Sequence, residues 1–361
     1  MRGHTVGVDT HVRRSPTDAE PPRRTVGIDV GGTKTLGLLV EHGPAGVAVL
    51  DRERVPSRAD DPSAVDAVVG VARTLTERSR IRAGEAVPVP APVTAVGVGL
   101  AGFVDRAGVV RAAPNSVGLV GQDVRGRLER ELGLPVTVDN DANCAAVAAH
   151  ALIEPTVADL VAVTLGTGIG GGLIVGGRLV RGARGFAGEP GHMVVDPDGP
   201  RCPCGQRGCW ERYASGSGLG WLARRALRRG DAPSLAEAVA DPEELRGEHV
   251  TELLGVGNRD AVRVFDEYAR WVALGVANLI SLLDPDVVAL GGGVAAVGDE
   301  LTGRVRTILS ERFPAASDGR SVSIVTTPGG PDAGAIGAAI LARDAAAAGP
   351  QPGSGRSGDR R

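Results

Sequence analysis

Several residue types that often decide the class of a protein are scarce in this 361-residue chain. Aromatic residues make up 2% of it and only four residues are cysteines. No apolar run approaches the roughly 18 to 20 residues that cross a membrane. Four cysteines are too few for a disulfide framework, and residues 1–23 show no apolar segment typical of a secretory signal. We therefore expect a protein of a reducing compartment, the cytoplasm, without a membrane partner.

Lysine is also nearly absent, because every basic residue except Lys34 is an arginine. The formal net charge of -3 argues against a nucleic-acid partner. The 54 glycines suit an α/β protein with many tight turns. The length is sufficient for two domains with sizeable cores.

Three of the four cysteines fall within eight residues, and a histidine precedes them. The candidate metal ligands are His192, Cys202, Cys204 and Cys209. Such a set completes a tetrahedral zinc site and leaves no position open for water. Disulfide bonding or plain burial is the alternative, although Cys202 and Cys204 are too close in sequence to bridge comfortably. The isolated Cys144 is expected to be a small core residue.

Strands and helices alternate along the chain. The apolar patterns predict strands at 26–30, 36–40, 47–51, 93–100, 136–138, 160–165, 171–175, 178–180 and 287–290, and helices at 62–80, 124–132, 141–151, 258–284 and 332–343. A strand–glycine turn–strand unit occurs twice, about 135 residues apart. Two similar halves that face each other would bring both glycine turns to one cleft.

The first glycine turn follows a buried strand that ends in Asp29. Its backbone N–H groups at Gly31 and Gly32 are free of side-chain bulk and could wrap anionic oxygens, while Thr33 adds a hydroxyl and Lys34 a charge. Asp29 is a candidate partner for a magnesium ion or its water shell. The alternative is a hairpin turn with an exposed lysine.

The second turn, Gly166-Thr167-Gly168, belongs to a G-x-G-x-x-G pattern that ends at Gly171. A dinucleotide fingerprint must open a helix, whereas strands follow here, so a Rossmann site is rejected. No G-x-x-x-x-G-K-[ST] motif is present either. Two turns of one kind suggest a nucleotide whose phosphates are gripped from two sides.

A carboxylate stands at a predicted strand-to-helix junction, in the run Asp139-Asn140-Asp141. Asp141 could accept a hydroxyl proton during phosphoryl transfer. The alternative is helix capping by Asn140 or Asp141. Asn115, in a predicted loop, could supply one more polar contact or could simply be a turn residue.

These pieces together resemble the ROK family of sugar kinases and repressors over residues 24–344. The motifs that carry the resemblance are the segments 29–34, 114–115, 139–143, 165–172, 188–192 and 202–211. Within the family, the run 204–216 looks most like glucokinases of the actinobacterial type. Ser116-Val117-Gly118-Leu119 departs from those glucokinases, which usually have a leucine and a tryptophan soon after the asparagine. The sugar is therefore less well defined than the reaction class.

The resemblance implies an actin- and hexokinase-like ATPase fold of the ribonuclease H-like type, with two α/β domains around a cleft. It implies an N-terminal domain at 24–140 joined by the helix 332–344, and a larger domain at 141–331 with the zinc motif. Composition predicts disordered tails at 1–23, which contains Arg and Pro without a sustained period, and at 345–361, which turns to Gly, Pro, Ser and Arg. It also implies ATP, Mg²⁺, a structural Zn²⁺ and a homodimer or homotetramer.

By motif, the resemblance assigns the sugar hydroxyls to Asn115, Asn140, Asp141, Glu189, His192 and Glu211. Asp141 would be the general base on the 6-hydroxyl of glucose. The nucleotide would contact Asp29, Gly31, Gly32, Thr33, Lys34, Gly166, Thr167, Gly168, Gly291, Gly292 and Gly293. A ROK kinase for another hexose or an N-acetylhexosamine, polyphosphate as the donor, and a sugar-responsive repressor are the alternatives. About 23 leading residues are too few for the DNA-binding domain of a family repressor.

Overall fold

The computed structural model describes residues 23–44, 46–57, 61, 64–85, 91–113, 117–153, 157–313 and 322–349. Its first sheet contains β1 (Arg23–Val30), β2 (Lys34–Gly43), β3 (Gly46–Pro56), β4 (Val93–Leu100) and β7 (Val136–Asn140). These strands lie in the order β3-β2-β1-β4-β7. The first three form an antiparallel meander, and β4 and β7 continue the sheet in parallel. The strands predicted at 26–30, 36–40 and 47–51 are confirmed, with wider bounds.

The second sheet repeats this plan. It contains β8 (Leu160–Leu165), β9 (Ile169–Val175), β10 (Arg178–Leu179), β11 (Val287–Gly291) and β12 (Ser323–Thr326), in the order β10-β9-β8-β11-β12. Its meander is again antiparallel and its last two strands are again parallel. The repeated unit predicted from the glycine turns is therefore a repeat of whole sheets. A small ladder of β5 (Phe103–Val104) and β6 (Val110–Ala112) follows β4.

Nine helices complete the described part of the chain, besides short 3₁₀ turns. They are α1 (Ala64–Glu85), α2 (Val124–Leu132), α3 (Asp141–Ile153), α4 (Glu211–Ala214), α5 (Gly216–Arg228), α6 (Gly247–Gly255), α7 (Arg259–Leu283), α8 (Asp299–Arg312) and α9 (Ala333–Ala348). Asn258 caps α7, since its side-chain oxygen accepts the N–H groups of Asp260 and Ala261. None of these helices is long and apolar enough to cross a membrane.

The ends of the chain correct two predicted limits. Arg23 already pairs with His42 in the first sheet, so the predicted tail at 1–23 is one residue too long. Helix α9 continues to Ala348, because the alanines after Asp344 favour helix strongly. The predicted C-terminal tail therefore starts too early, at residue 345. The domain limits themselves remain a prediction.

Helices α3 and α9 pack against each other and cover the facing sides of the two sheets. Glycine makes this contact close: a Cβ at Gly27 or Gly97 would lie 1.9 Å from a carbonyl oxygen of α9. On the second sheet, a Cβ at Gly172 would lie 2.4 Å from the Cβ of Ala146 in α3. The two halves thus meet through small side chains, and the amino end of α3 is fixed beside the first sheet.

Most of the few aromatic residues lie in the core of the second half. Trp210, Phe265 and Tyr268 are fully buried there. The indole N–H of Trp210 donates to the carbonyl of Trp271 over 2.7 Å, and Tyr213 stacks on the Trp271 ring. Trp210 directly follows Cys209, so this core holds the cysteine-rich segment in place.

Candidate active site

A cleft of about 690 Å³ is lined by Asp29 and Lys34, on either side of the first glycine turn, and by the second turn itself. Its volume is usual for a small-molecule site. Thirteen predicted site residues line it: Asp29, Lys34, Asn140, Asp141, Gly166, Thr167, Gly168, Glu189, His192, Glu211, Gly291, Gly292 and Gly293. Gly31, Gly32 and Thr33 are not among its lining residues. Asn115 lies outside the described residues. The structure therefore brings together groups that are up to about 260 residues apart in sequence.

The first glycine turn is closed by backbone bonds within its own sheet. The N–H of Gly31 donates to the carbonyl of Lys34 over 3.0 Å, and the N–H of Ser57, just after β3, donates to the carbonyl of Thr33 over 3.0 Å. Among the hydrogen bonds of the described residues, none uses the N–H of Gly32 or Thr33. These two donors are available to an anion.

The second turn is held by groups from another segment. The N–H of Gly216 donates to the carbonyl of Gly166 over 2.7 Å, and the N–H of Ile169 donates to Oε2 of Glu211 over 2.9 Å. The N–H of Gly166 closes the turn on the carbonyl of Gly168. The N–H groups of Thr167 and Gly168 have no partner in the described part of the chain. Each turn therefore keeps two free donors.

At the strand-to-helix junction, Asn140 and Asp141 have different roles. Asn140 is the last residue of β7, and its Oδ1 accepts the N–H of Asn143 over 3.0 Å, which makes Asn140 the cap of α3. Its Nδ2 donates to the carbonyl of Gly102 over 3.0 Å, and one amide hydrogen remains. Oδ1 of Asp141 accepts the N–H of Ala142, the next residue, over 2.9 Å. Asn140, and not Asp141, therefore occupies the capping position of α3.

Asp139 stabilises this junction through hydrogen bonds on both of its carboxylate oxygens. Its Oδ1 accepts the side-chain amide of Asn143 and the N–H of Asn140, each over 2.8 Å. Its Oδ2 accepts Nε of Arg181 over 2.6 Å. Because Asp139 is buried and all its contacts are satisfied, its role is to fix the ends of β7 and α3.

Burial raises the pKa values of three carboxylates in the cleft, and neighbouring charges raise two of them further. Burial, together with the charge of Asp141, raises the pKa of Asp29 to about 7, against a lowering effect of Lys34. Burial, with the charges of Asp141 and Glu211, raises the pKa of Glu189 to about 7. Burial also raises the pKa of Asp141. A site of this kind favours a bound cation or hydrogen-bond donors that satisfy the carboxylates.

The four predicted metal ligands form a compact cluster. One ligand atom from each of His192, Cys202, Cys204 and Cys209 lies within 4.8 Å of all the others. Sγ of Cys204 is 3.6 Å from Sγ of Cys209, and Sγ of Cys202 is 3.9 Å from Nδ1 of His192. Tetrahedral zinc with bonds of about 2.3 Å to sulfur separates its sulfur ligands by about 3.8 Å. The residues therefore fit a closed zinc site.

The segment before the cluster packs directly on β9. Glu189 precedes a 3₁₀ turn, Pro190–His192. A Cβ at Gly191 would lie 2.4 Å from the carbonyl oxygen of Ile169, and one at Gly171 would lie 2.5 Å from Pro190. The positions of Glu189 and His192 are thus set by close contact with the strand that leaves the second turn.

Several lining residues escaped sequence analysis. Phe103 and Thr164 line the cleft, as do Thr326, the last residue of β12, and Thr327 after it. Phe103 forms an edge-to-face contact with Phe186, with ring centroids 5.6 Å apart. Thr164 occupies the position in β8 that Asp29 occupies in β1, two residues before the first glycine of the turn. That correspondence is the sequence feature from which Thr164 could have been predicted as a site residue.

Comparison with known proteins shows which family this chain resembles in sequence and in structure. The ROK family model matches residues 25–345. A glucokinase of Streptomyces coelicolor is 36% identical over 330 residues, covering 89% of this chain and 98% of the relative. An N-acetylmannosamine kinase of Citrobacter koseri is 32% identical over 321 residues, covering 88% and 98%. The crystal structure of a ROK family glucokinase from Streptomyces griseus in complex with glucose and AMPPNP superposes with a TM-score of 0.74 at 34% identity, covering 89% of this chain and all of that one.

Proposed function

Because this chain belongs to the ROK family of hexokinase-like ATPase fold, we propose that it is a sugar kinase that transfers the γ-phosphoryl group of ATP to the 6-hydroxyl of glucose. One observation carries the proposal beyond family membership. Asp141, which is not the cap of α3, lines the same cleft as Lys34 and as Thr167 and Gly168, whose backbone N–H groups have no partner among the described residues. A base and a phosphate cradle thus share one cavity.

In the proposed reaction, Asp141 accepts the proton of the attacking hydroxyl. Its raised pKa makes it a stronger base than an ordinary aspartate once it is ionised. The transition state of phosphoryl transfer is loose, so the protein mainly orients the two substrates and stabilises charge. Helix α3, capped by Asn140, sets the position of the base.

The sugar is proposed to contact Asn115, Asn140, Asp141, Glu189, His192 and Glu211. Carboxylates and amides suit a neutral polyol, because each can pair with adjacent hydroxyl groups. Hydroxyl donors near Glu189 would favour its ionised form and offset the burial that, with the charges of Asp141 and Glu211, raises its pKa. The raised pKa of Glu189 in the free protein is then expected for a site prepared for a sugar.

The donor phosphates are proposed to lie between the two turns, against Gly31, Gly32, Thr33, Lys34, Gly166, Thr167 and Gly168. The nucleoside is proposed to lie near Gly291, Gly292 and Gly293, which line the same cleft. Magnesium, when bound, would neutralise charge on the donor phosphates. Asp29 is the proposed partner of the ion or its water shell, and a cation there would lower the pKa of Asp29 towards its ordinary range.

Zinc is proposed to be structural. It would hold His192, Cys202, Cys204 and Cys209 together, and its closed ligand set leaves no place for a reacting water. His192 would bind zinc through Nδ1, the ring nitrogen that faces Cys202, so that Nε2 can meet the sugar. We also propose a domain boundary near residue 140, with α9 joined to the first half, and a homo-oligomeric assembly.

The test is a coupled ADP-release assay across a panel of hexoses and N-acetylhexosamines. We expect glucose to give the highest kcat/KM and Asp141→Asn to lower kcat by about 10²- to 10⁴-fold, the usual contribution of a general base. Glucose affinity should change little, because an amide keeps the hydrogen-bonding shape. Asp198→Asn, at an exposed aspartate, is the matched control. Unchanged turnover in Asp141→Asn would contradict the assignment of the base.

N-acetylmannosamine is the second candidate sugar, because the Citrobacter koseri relative named above has a similar share of identical residues. The run Ser116-Val117-Gly118-Leu119, which departs from the pattern of the family's glucokinases, also leaves the sugar less well defined than the reaction. Strongest activity on an amino sugar in the same panel would replace glucose with that sugar and leave the kinase assignment intact.

A further inference from the structure

We propose that Glu211 is a positioning residue for the phosphate donor, because its carboxylate holds the second glycine turn in shape. This inference rests on the proposed function and adds a second task to a side chain assigned above to the sugar. The turn, Gly166 to Gly168, connects β8 to β9, and Ile169 is the residue that closes it by pairing with Leu165.

The contact lies at the closing residue of the turn. Oε2 of Glu211 accepts the N–H of Ile169 over 2.9 Å, which is a hydrogen bond to an ionisable acceptor and therefore among the stronger kinds. Glu211 and Ile169 are 42 residues apart, so no local rule of turn geometry provides this bond. Without the carboxylate, the closing N–H of the turn would lose its partner.

The turn also packs directly against the same oxygen. A Cβ at Gly168 would lie 2.3 Å from Oε2 of Glu211 and 3.1 Å from its carboxyl carbon. The Glu211 carboxylate therefore leaves no room for a larger residue than glycine at 168, and a bound phosphate would restrict the same position. Its φ angle is not in the left-handed region, so backbone conformation alone would admit alanine.

The carboxylate is itself held in place. Its other oxygen, Oε1, lies 3.9 Å from Sγ of Cys202, and Glu211 is the first residue of α4, two residues after Cys209. The same segment binds the other side of the turn, since Gly216 donates its N–H to the carbonyl of Gly166 over 2.7 Å. The segment from Cys202 to Gly216 thus holds the turn at both ends.

Glu189 provides the internal comparison. It lies in the same cleft and its pKa is raised partly by the charge of Glu211, but within the described residues its carboxylate makes no hydrogen bond to the turn. A sugar contact at Glu211 would therefore reach the donor turn, whereas one at Glu189 would not. By linkage, such a shared side chain makes sugar and nucleotide affect each other's affinity to the same degree.

The test compares three variants by the affinity of Mg²⁺-AMPPNP in the absence of sugar, measured by titration calorimetry. Glu211→Met removes the acceptor at similar length and should weaken nucleotide binding about tenfold, as expected for loss of one hydrogen bond to a charged group. Glu211→Gln keeps an oxygen for Ile169 and should stay within about threefold of wild type. Glu189→Gln, the matched control, should bind the nucleotide normally. Both Gln variants should lose glucose affinity.

Hydrogen exchange at the Ile169 amide gives an independent reading of the contact. It should accelerate in Glu211→Met and remain slow in Glu211→Gln and Glu189→Gln. Wild-type nucleotide affinity in a folded, zinc-containing Glu211→Met protein overturns the inference. Absence of hexose phosphorylation by the wild type would overturn the proposed function instead, and the comparison of nucleotide affinities would still be readable.

A second pair of variants covers the case in which Glu211→Met does not fold. Gly168→Ala should weaken nucleotide binding in the wild type by displacing the carboxylate, but should add nothing in a Glu211→Ala background, where the space is free. If the new methyl group acts by colliding with the phosphate, it costs the same affinity in both backgrounds, and that result contradicts the inference.

Discussion

The two glycine turns have the same place in two equivalent sheets, but they are stabilised in different ways. Four residues lie between the paired Val30 and Thr35 of the first turn, and three lie between Leu165 and Ile169 of the second. The first turn is closed by its own meander, whereas the second depends on Glu211 and Gly216 from a distant segment. Equivalent loops in a repeated fold can therefore have unequal requirements for support.

The difference extends to charge. The first turn carries Lys34 within it and has Asp29 at its base, and both line the cleft. The second has Thr164 in the place of Asp29 and carries Thr167 within it, and a carboxylate reaches it from Glu211. The first half thus supplies charge from its own strands, whereas the second half obtains charge from the segment that carries the proposed zinc site.

Loss of zinc should give the largest effect and should be confined to the second turn. We expect Cys204→Ser to lose bound zinc and to lower Tm by about 10 °C, because losing several kcal/mol shifts a chain of this size by about 2–4 °C per kcal/mol. Hydrogen exchange should increase in peptides covering 165–172 and stay unchanged in those covering 29–36. Zinc content and exchange are measured on the same sample.

Cys144→Ala is the matched control, because Cys144 is the cysteine outside the cluster. This variant should retain zinc, and hydrogen exchange at the second turn should remain as slow as in the wild type. Equal loss of protection at both turns in Cys204→Ser would remove the distinction between them.

Substitution of the charge in the first turn should give the next largest effect. We expect Lys34→Met to lower kcat/KM for ATP by about 100-fold, the usual result of removing one group that stabilises developing charge. Glucose affinity, zinc content and exchange at 165–172 should remain normal, since Lys34 belongs to the other half. Steady-state kinetics with varied ATP checks the first expectation. Normal kinetics would show that the nucleotide does not use the first turn.

The smallest effect concerns two buried carboxylates with raised pKa values, one from each half. Asp29 and Glu189 have pKa values of about 7 in the folded protein, above their ordinary 3.8 and 4.5. The folded state therefore binds extra protons, and its stability declines as pH rises from about 4 to about 7. Asp29→Asn and Glu189→Gln should each stabilise the sugar-free protein by about 1–3 kcal/mol at pH 8 and by little at pH 4.

Denaturant unfolding at the two pH values measures this effect. Glu252→Gln, at an exposed position of α6, is the control and should change stability little at either pH. A stabilisation by Glu189→Gln that is as large at pH 4 as at pH 8 would exclude ionisation of the buried carboxylate as its cause.

Much of the fold was predictable because apolar runs and glycines mark its strands and turns. The bounds Val93–Leu100, Val124–Leu132 and Leu160–Leu165 are as predicted, and Asn258 caps α7 as expected. Strand β12 was missed because four residues, Ser323–Thr326, are too short for a period to be visible. Helix α5 was missed because three glycines lie in its first five residues, and glycine disfavours helix.

The site was predictable where a motif carried it and not where a contact joined distant residues. The sequence left open whether Asn140 or Asp141 caps α3, and the hydrogen bond from Asn143 to Asn140 decides that question. The cysteine cluster was evident from spacing alone. The bond between Glu211 and Ile169 was not, because it depends on how α4 packs against β9 and no periodic pattern reports that.

The position of the single lysine has a practical consequence for labelling. An amine-reactive reagent finds one ε-amino group in this chain, besides the α-amino group, and that group lines the cleft. Covalent modification is therefore directed to the first turn without any engineered residue. Under the proposed function, protection of Lys34 by nucleotide would give a footprint of donor occupancy on the native protein.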